Sequence, residues 1–392
     1  MRIDTRLAGI VLAFLASAPT TRAWTQESRG SALRLGVGTN GLAIGNAHRW
    51  NGIRINWRDR DGELINGINL TLWRPDSTGN ERATVNGVSL GVAPAAGRLH
   101  GLTLGLGPVA ARGMAGVNLG VLALVSEGRM AGINAAGLAT VSEGPMTGIN
   151  FGGLALVSEG RAGFVNLAGL GLVAERGLYG LSFGGLGVVT SGEAHGVNLA
   201  GLGLVTERGV TGLTLGGLAV VTQGGTLGVT GGGLAVVSER SMRGVTAGGL
   251  AVVAQGAAQG IQAGGLAVVI EEGVAGVTVA GLAVVSSGPI RGLTLGGLAV
   301  VNDDEVSGLA ATLYRIRSDI LRGAAVSGWL KTTDLTGLSI AAYNQVRGTQ
   351  RGLVIGVYNS ADELHGVQIG VLNRAKNNKP PFRWLPILNL HL

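Results

Sequence analysis

The chain has 392 residues and no cysteine, which excludes disulfide frameworks, zinc–thiolate sites and thiol nucleophiles. Its 72 glycines and only 4% aromatic residues predict tight turns and close backbone packing instead of an ordinary globular core. The net charge is +7, but no lysine-rich run or basic helix collects these cations, so we expect no nucleic-acid partner.

Residues 1–23 are typical of a secretory signal peptide. Two arginines precede an apolar run from Leu7 to Ala18, which is shorter than the ~20 residues that a helix needs to cross a bilayer. Thr21 and Ala23 place small residues at the two positions that a signal peptidase inspects. We therefore expect cleavage between Ala23 and Trp24 and export to the outer membrane or cell surface, with the periplasm as the alternative location. The competing interpretation is a buried N-terminal helix.

Residues 24–110 contain degenerate β repeats. Three short segments share the order apolar, polar, glycine, apolar, polar, leucine: Ile65 to Leu70, Val85 to Leu90, and Leu99 to Leu104. Polar connections separate them. Terminal repeats of a stacked fold are often atypical because they face water at its end, so we interpret this segment as the N-terminal end of a repeat array.

Residues 111–308 repeat every 16 residues without an insertion. A unit of this length is too short for a helical hairpin, and its valine, threonine and glycine content favours β structure. Each unit is therefore predicted to be one coil of a β-solenoid, in which equivalent residues stack. The recurring leucines are Leu122, Leu138, Leu154, Leu170, Leu186, Leu202, Leu218, Leu234, Leu250, Leu266, Leu282 and Leu298.

Within one unit, alternation predicts which side chains point inward. Ile149 and Phe151 share one side of an extended strand, with Asn150 opposite. The pair Gly152-Gly153 indicates a bend, after which we expect Leu154 and the leucine two residues later to take the inward side. The recurring leucines should then form a ladder along the core.

The outward side of the second strand is predicted to be an association face. If the leucines point inward, the alanines and valines between them point outward and form an uncharged apolar strip. The valines in the centre of this strip are Val221, Val237, Val253 and Val269. We expect a second copy, another surface protein or the outer membrane to cover it.

An antiparallel outer-membrane β-barrel remains the alternative fold. From residue 174 the turn sequences alternate with a 32-residue period, Glu175-Arg176 and Glu207-Arg208 against Ser191-Gly192 and Gln223-Gly224. Alternating turns are typical of strands that run up and down across a membrane. The scarcity of aromatic residues in the repeats and the leucines that would line the lumen favour the solenoid.

No residue pattern predicts a catalytic, cofactor or metal site. The five histidines lack metal-ligand spacing, and the glycines of Gly36 to Gly41 match a dinucleotide fingerprint without a following helix. A recurring glutamate could bind Ca²⁺ in stacked coils, but arginines beside it favour ion pairing and solubility instead. The glutamates are Glu127, Glu143, Glu159, Glu175, Glu207 and Glu239.

Residues 309–392 form a C-terminal segment of degenerate repeats and a cap. The unit Gly366 to Asn373, the linker Arg374 to Asn378 and the closing Leu385 to Asn389 resemble bacterial surface repeat-containing proteins first annotated in spirochaetes. The resemblance implies an exported protein at the cell surface and carries no activity with it. We therefore expect a non-enzymatic surface protein with a structural or binding role and no small-molecule substrate, with an outer-membrane pore as the alternative.

Overall fold

The computed structural model describes residues 32–73 and 80–391, and their extended segments form one continuous sheet system. The predicted cleavage site at Ala23 and Trp24 lies outside these residues. Within the described ranges, no helix is long and apolar enough to cross a membrane. The chain is a β-solenoid of about 18 turns, which confirms the predicted fold class.

Two parallel stacks of strands build the regular part of the solenoid. Each long strand pairs with the long strand one unit later, as in Met130 with Met146 and Asn134 with Asn150. Each short strand does the same, as in Ala139 with Ala155. The long strands are β9 (Arg129–Ala136), β11 (Met146–Gly152), β13 (Ala162–Ala168), β15 (Leu178–Gly184), β17 (Glu193–Ala200), β19 (Gly209–Gly216), β21 (Gly225–Gly232), β23 (Met242–Gly248), β25 (Ala258–Gly264), β27 (Val274–Ala280), β29 (Ile290–Gly296) and β31 (Glu305–Thr312). The short strands are β8 (Ala123–Ser126), β10 (Ala139–Ser142), β12 (Ala155–Ser158), β14 (Gly171–Ala174), β16 (Gly187–Thr190), β18 (Gly203–Thr206), β20 (Ala219–Thr222), β22 (Ala235–Ser238), β24 (Ala251–Ala254), β26 (Ala267–Ile270), β28 (Ala283–Ser286), β30 (Ala299–Asn302) and β32 (Arg315–Arg317).

The ends of the solenoid are less regular. At the N-terminal end, pairing of Asn40 with Asn51 and of Gly67 with Gly87 gives coils that range from 11 to 20 residues. At the C-terminal end, one extended run continues through coils of about 14 or 15 residues, as the Asn344–Asn359 and Asn359–Asn373 side-chain bonds show. The strands are β1 (Leu33–Val37), β2 (Asn40–Ile44), β3 (Arg49–Asn56), β4 (Leu64–Thr71), β5 (Thr84–Gly91), β6 (Ala95–Gly105), β7 (Val109–Gly120), β33 (Ile320–Thr332), β34 (Asp334–Ala375) and β35 (Trp384–His391).

Strand direction rules out the antiparallel barrel that the alternating turns suggested. Among the described strands, only β1 with β2 and β34 with β35 pair antiparallel, and each of these pairs closes one end of the stack. All other pairs are parallel. The 32-residue alternation of the turn sequences therefore has no counterpart in strand direction.

The predicted inward side of the long strand is wrong. Asn150 is fully buried, whereas Ile149 and Phe151 are 41% and 42% exposed. The amide of Asn134 donates to the side-chain oxygen of Asn150 at 2.9 Å, and Asn150 donates to Asn166 at 2.9 Å. Because the amides of Asn134 and Asn150 each bond to the next coil, a polar column can occupy the core here and the larger apolar side chains face outward.

The leucine ladder exists, but the prediction that it lies in the core is wrong. All twelve recurring leucines are between 44% and 50% exposed, with Leu154 at 47%. Leu154 follows the bend at Gly153, and its backbone N–H donates to the carbonyl oxygen of Leu138 at 2.8 Å. The bend therefore aims the Leu154 side chain outward, and Leu156 fills the core as predicted.

Candidate interaction surfaces

Each regular coil has an apolar edge and a polar edge. The long strand Met146–Gly152 runs to the bend at Leu154, and the short strand Ala155–Ser158 runs back to the turn that begins at Glu159. The two bends thus lie at opposite ends of the same coil. We call the stacked leucines from Leu122 to Leu298 the leucine edge, and the stacked turns that hold the recurring glutamates the turn edge. The solenoid is therefore amphipathic across its whole width.

The leucine edge is long and regular. It contains the twelve recurring leucines, one in each successive coil. At ~4.8 Å between neighbouring strands, the eleven steps extend for about 53 Å. The backbone N–H of Leu218 donates to the carbonyl oxygen of Leu202 at 2.7 Å, and the same bond recurs from coil to coil. This spacing keeps the side chains in one row and leaves a continuous apolar ridge.

The predicted valine face is outward-facing, as the alternation requires. Val220 is fully buried, whereas its neighbour Val221 is 37% exposed. Val237, Val253 and Val269 are half-buried. These valines lie on the short strands next to the leucine edge and form part of the same apolar surface. Association through this face stays a prediction.

The turn edge carries the recurring glutamates, but the ion pairs predicted for them are absent from the residues that the structure describes. The described residues contain no group of three His, Cys, Asp or Glu side chains that could hold a metal ion. None of the recurring glutamates forms an ion pair within residues 32–73 and 80–391, so the predicted pairing with the neighbouring arginines is wrong.

Stacking of like charges affects Glu143 on this edge. Partial burial raises the pKa of the Glu143 carboxyl above its ordinary value, and the carboxylates of Glu159 and Glu127 in the next coils raise it further. The folded chain therefore favours the protonated form of Glu143 more than the unfolded chain does. The stability that this group contributes is fully present below the ordinary glutamate pKa and is lost as the pH rises through the raised pKa. The charged side chains of the turn edge favour solubility, while repulsion between the stacked carboxylates destabilises the fold slightly.

An aromatic column, which the sequence analysis missed, continues the leucine edge at the C-terminal end. Tyr314 takes the place of the next leucine, since its backbone N–H donates to the carbonyl oxygen of Leu298 at 3.2 Å. Beside it, the rings of Trp329 and Tyr343 lie 5.6 Å apart and those of Tyr343 and Tyr358 lie 4.7 Å apart. Trp384 completes the column, 6.4 Å from Tyr358.

Cations flank the aromatic column. The guanidinium of Arg315 lies 5.1 Å from the ring centre of Trp329, and that of Arg374 lies 5.1 Å from the ring centre of Trp384. The Arg347 guanidinium, together with partial desolvation and smaller effects of other arginines, lowers the pKa of the Lys331 ammonium. The sequence signal for this column is the recurrence of Trp and Tyr at intervals of 14 or 15 residues. This spacing differs from the strict 16-residue period of the central repeats, from which the stacking was predicted.

Comparisons of the chain with protein-family models, with curated proteins and with solved structures gave no significant match. The resemblance of residues 352–392 to bacterial surface repeat-containing proteins therefore stays a prediction, as do export and the surface location. The geometry of the described residues carries the functional argument.

Proposed function

We propose that this chain is an exported, non-catalytic surface protein that attaches to a lipid surface through its leucine edge. The observation that carries the proposal is the amphipathic cross-section, with twelve half-exposed leucines on one edge and charged turns on the opposite edge. Soluble monomers seldom expose contiguous apolar patches larger than a few hundred Å². We therefore expect the leucine edge to be buried against an apolar surface.

The energy available from burying the ridge is sufficient for attachment. Full burial of a leucine side chain is worth about 1.5–3 kcal/mol, so burying the exposed half of each contributes about 1 kcal/mol. Twelve leucines together then contribute on the order of 10 kcal/mol before the costs of association. The turn edge stays in water, as does the polar face of an amphipathic helix that lies in a membrane interface.

Three features favour lipid over a second copy as the cover. The ridge is convex, so two such ridges bury little area against each other, whereas acyl chains adapt to it. Its continuation into Tyr314, Trp329 and Tyr343 with flanking arginines resembles the aromatic and cationic residues that anchor proteins at a membrane interface. The net charge of +7, which is +5 without the three arginines and one aspartate of residues 1–23, also favours anionic lipid.

Vesicle flotation tests the proposal. Purified full-length protein should float with vesicles that contain anionic lipid, without detergent. Substitution of Leu202, Leu218, Leu234 and Leu250 by glutamine should weaken this binding at least ~100-fold, since four half-buried leucines are worth about 4 kcal/mol. The fold should persist because these side chains make little of the core.

A matched variant controls for the number of substitutions. Ser191, Gln223, Gln255 and Ser287 occupy the turn edge of alternate coils, and their replacement by asparagine should leave flotation unchanged. If the parent protein stays in the aqueous fraction, or if the glutamine variant floats as well as the parent, lipid attachment through the leucine edge is refuted.

A further inference from the structure

The outward side of the short strands changes from apolar to cationic at the C-terminal end of the solenoid. Through the regular coils its two columns hold small apolar residues, as Ala299 and Val301 do in β30. In β32 the same two positions hold Arg315 and Arg317, which pair with that alanine and valine in the parallel ladder. In the next coil Lys331 follows Arg317 in the second column. The apolar columns therefore end in a group of cations.

Four cations meet on this face. Arg317 and Lys331 are direct partners on neighbouring strands, which places their backbones ~4.8 Å apart. Gln345 pairs with Lys331, and Arg347 lies two residues farther along on the same outward side. We call Arg315, Arg317, Lys331 and Arg347 the cationic cluster. None of the four forms an ion pair with a residue in 32–73 or 80–391.

The charge of the cluster is not compensated by the described part of the chain. Like charges that face each other on neighbouring strands destabilise a sheet. The Arg347 guanidinium lowers the pKa of the Lys331 ammonium, ahead of desolvation and of the other two arginines. Two acidic residues, Asp319 and Asp334, lie within this stretch of sequence, and the Asp334 carboxylate accepts a bond from the backbone N–H of Thr349 at 2.8 Å. An anion from outside the chain is therefore favoured at the cluster.

The aromatic column beside the cluster favours a phosphate over an acidic polysaccharide. A sugar ring binds an aromatic side chain by stacking on an open ring face. Here the rings of Tyr343 and Tyr358 stack on each other at 4.7 Å, and Trp329 lies against Tyr343 at 5.6 Å from the preceding coil. The Arg315 guanidinium covers the Trp329 ring at 5.1 Å. A phosphate needs cationic donors and no open ring face.

The cluster lies at the depth of lipid headgroups when the leucine edge enters the hydrocarbon. Tyr314 continues the leucine edge, and Arg317 follows it by three residues, so their backbones are at most about 10 Å apart. The headgroup region adds about 5–7 Å to each side of the hydrocarbon core. Arginine and lysine side chains are long and flexible enough to reach phosphates at that level.

We propose that the cationic cluster binds the phosphate of a phosphomonoester lipid headgroup, the chemistry that phosphatidic acid presents. This inference rests on the proposed attachment to a lipid surface and names the headgroup. A phosphomonoester carries about −1.5 to −2 charges at pH 7, so one group can neutralise two cations, whereas a phosphodiester carries a single charge. The planar guanidinium groups also match the phosphate oxygens in geometry.

Vesicle flotation at matched surface charge tests the headgroup. Two preparations in neutral phosphatidylcholine carry the same net charge, one from phosphatidic acid and one from phosphatidylglycerol, which is a phosphodiester. The full-length parent should bind the phosphatidic acid vesicles several times more tightly. Replacing Arg317 and Lys331 by glutamine should weaken this binding about 30-fold, about fivefold for each cation, and abolish the preference. The fold should persist because both side chains point outward and their repulsion is removed.

A matched variant controls for the loss of two positive charges. Arg243 and Arg291 are exposed on the outward side of the long strands, away from the cluster. Their replacement by glutamine should leave both the affinity and the preference as in the parent. Calorimetric titration with glycerol 3-phosphate, a soluble phosphomonoester, is the second arm, and it should show far weaker binding than the vesicles do.

Each contrary result overturns the assignment. A parent that floats equally with both preparations refutes the headgroup and leaves attachment through the leucine edge intact. Equal losses in the cluster and control variants would show only attraction of the net charge to the vesicle. Tight binding of glycerol 3-phosphate without a preference between vesicles would show a site for a soluble phosphate. Conversely, a leucine-edge glutamine variant that floats as the parent does and keeps the preference supports the cluster while it refutes the leucine edge.

Discussion

At the scale of single residues, one glycine column sets the path of every coil. Gly132, Gly148 and Gly212 have φ angles of 102°, 107° and 105°, which L side chains rarely adopt. A Cβ atom at Gly148 would also collide with the backbone carbonyl of Gly132 in the preceding coil. The exception, Phe164, keeps the same backbone conformation with φ of 79° and is therefore strained.

Substitutions in this column should change stability in opposite directions. Gly148→Ala should lower the free energy of unfolding by about 2–4 kcal/mol, through positive φ and the backbone collision. Phe164→Gly should raise it by about 1 kcal/mol, because the strain of a left-handed non-glycine residue is removed. Urea denaturation of the purified protein measures both.

Gly171→Ala is the control for these two variants. A Cβ atom at Gly171 meets nothing within 4 Å, and alanine occupies the equivalent Ala155. This substitution should be neutral or stabilise by up to about 1 kcal/mol. A Gly148→Ala protein as stable as the parent would contradict the requirement for glycine at this strand position.

At the scale of strands, parallel pairing makes the 16-residue unit the element of the fold. Gly212 pairs with Gly228 and Leu215 with Gly231, so one unit can be removed without changing which residues stack. The stability of such an array is approximately a sum over neighbouring coils. The loss of one coil out of about 18 should therefore cost little.

Deletions test this directly. Removal of Gly212 to Leu227, one complete unit, should leave a folded protein that resists protease. Removal of Gly212 to Ala219, half a unit, should not, because it places bends against strands and inward side chains against outward ones. Circular dichroism and limited proteolysis measure both proteins. A half-unit deletion as resistant as the parent would contradict in-register stacking.

At the scale of the whole molecule, many large apolar side chains are exposed, and the antiparallel pairs at the two ends limit end-to-end growth of the sheet. We therefore predict that self-association would use sideways contact through the valine face next to the leucine edge. The outward direction of Val221 agrees with this role, and Val237 and Val253 lie at equivalent positions.

Lysine substitutions in the valine face should prevent self-association of the protein. Substitution of Val221, Val237, Val253 and Val269 by lysine should give a folded monomer from a parent that associates in detergent-free buffer, because desolvating four ammonium groups opposes contact. Light scattering gives the mass and circular dichroism the fold. Loss of the fold would show that these valines stabilise the core. A parent protein that is already monomeric in this buffer would contradict self-association through the valine face.

By itself, the sequence determined the repeat length and the strand class, because a strict 16-residue unit rich in valine, threonine and glycine is too short for a helical hairpin. Only the tertiary structure decided that equivalent residues stack in parallel and which side of each strand faces in. Hydrophobic periodicity placed Ile149 and Leu154 in the core, whereas Asn134, Asn150 and Asn166 lie there and bond to one another across successive coils.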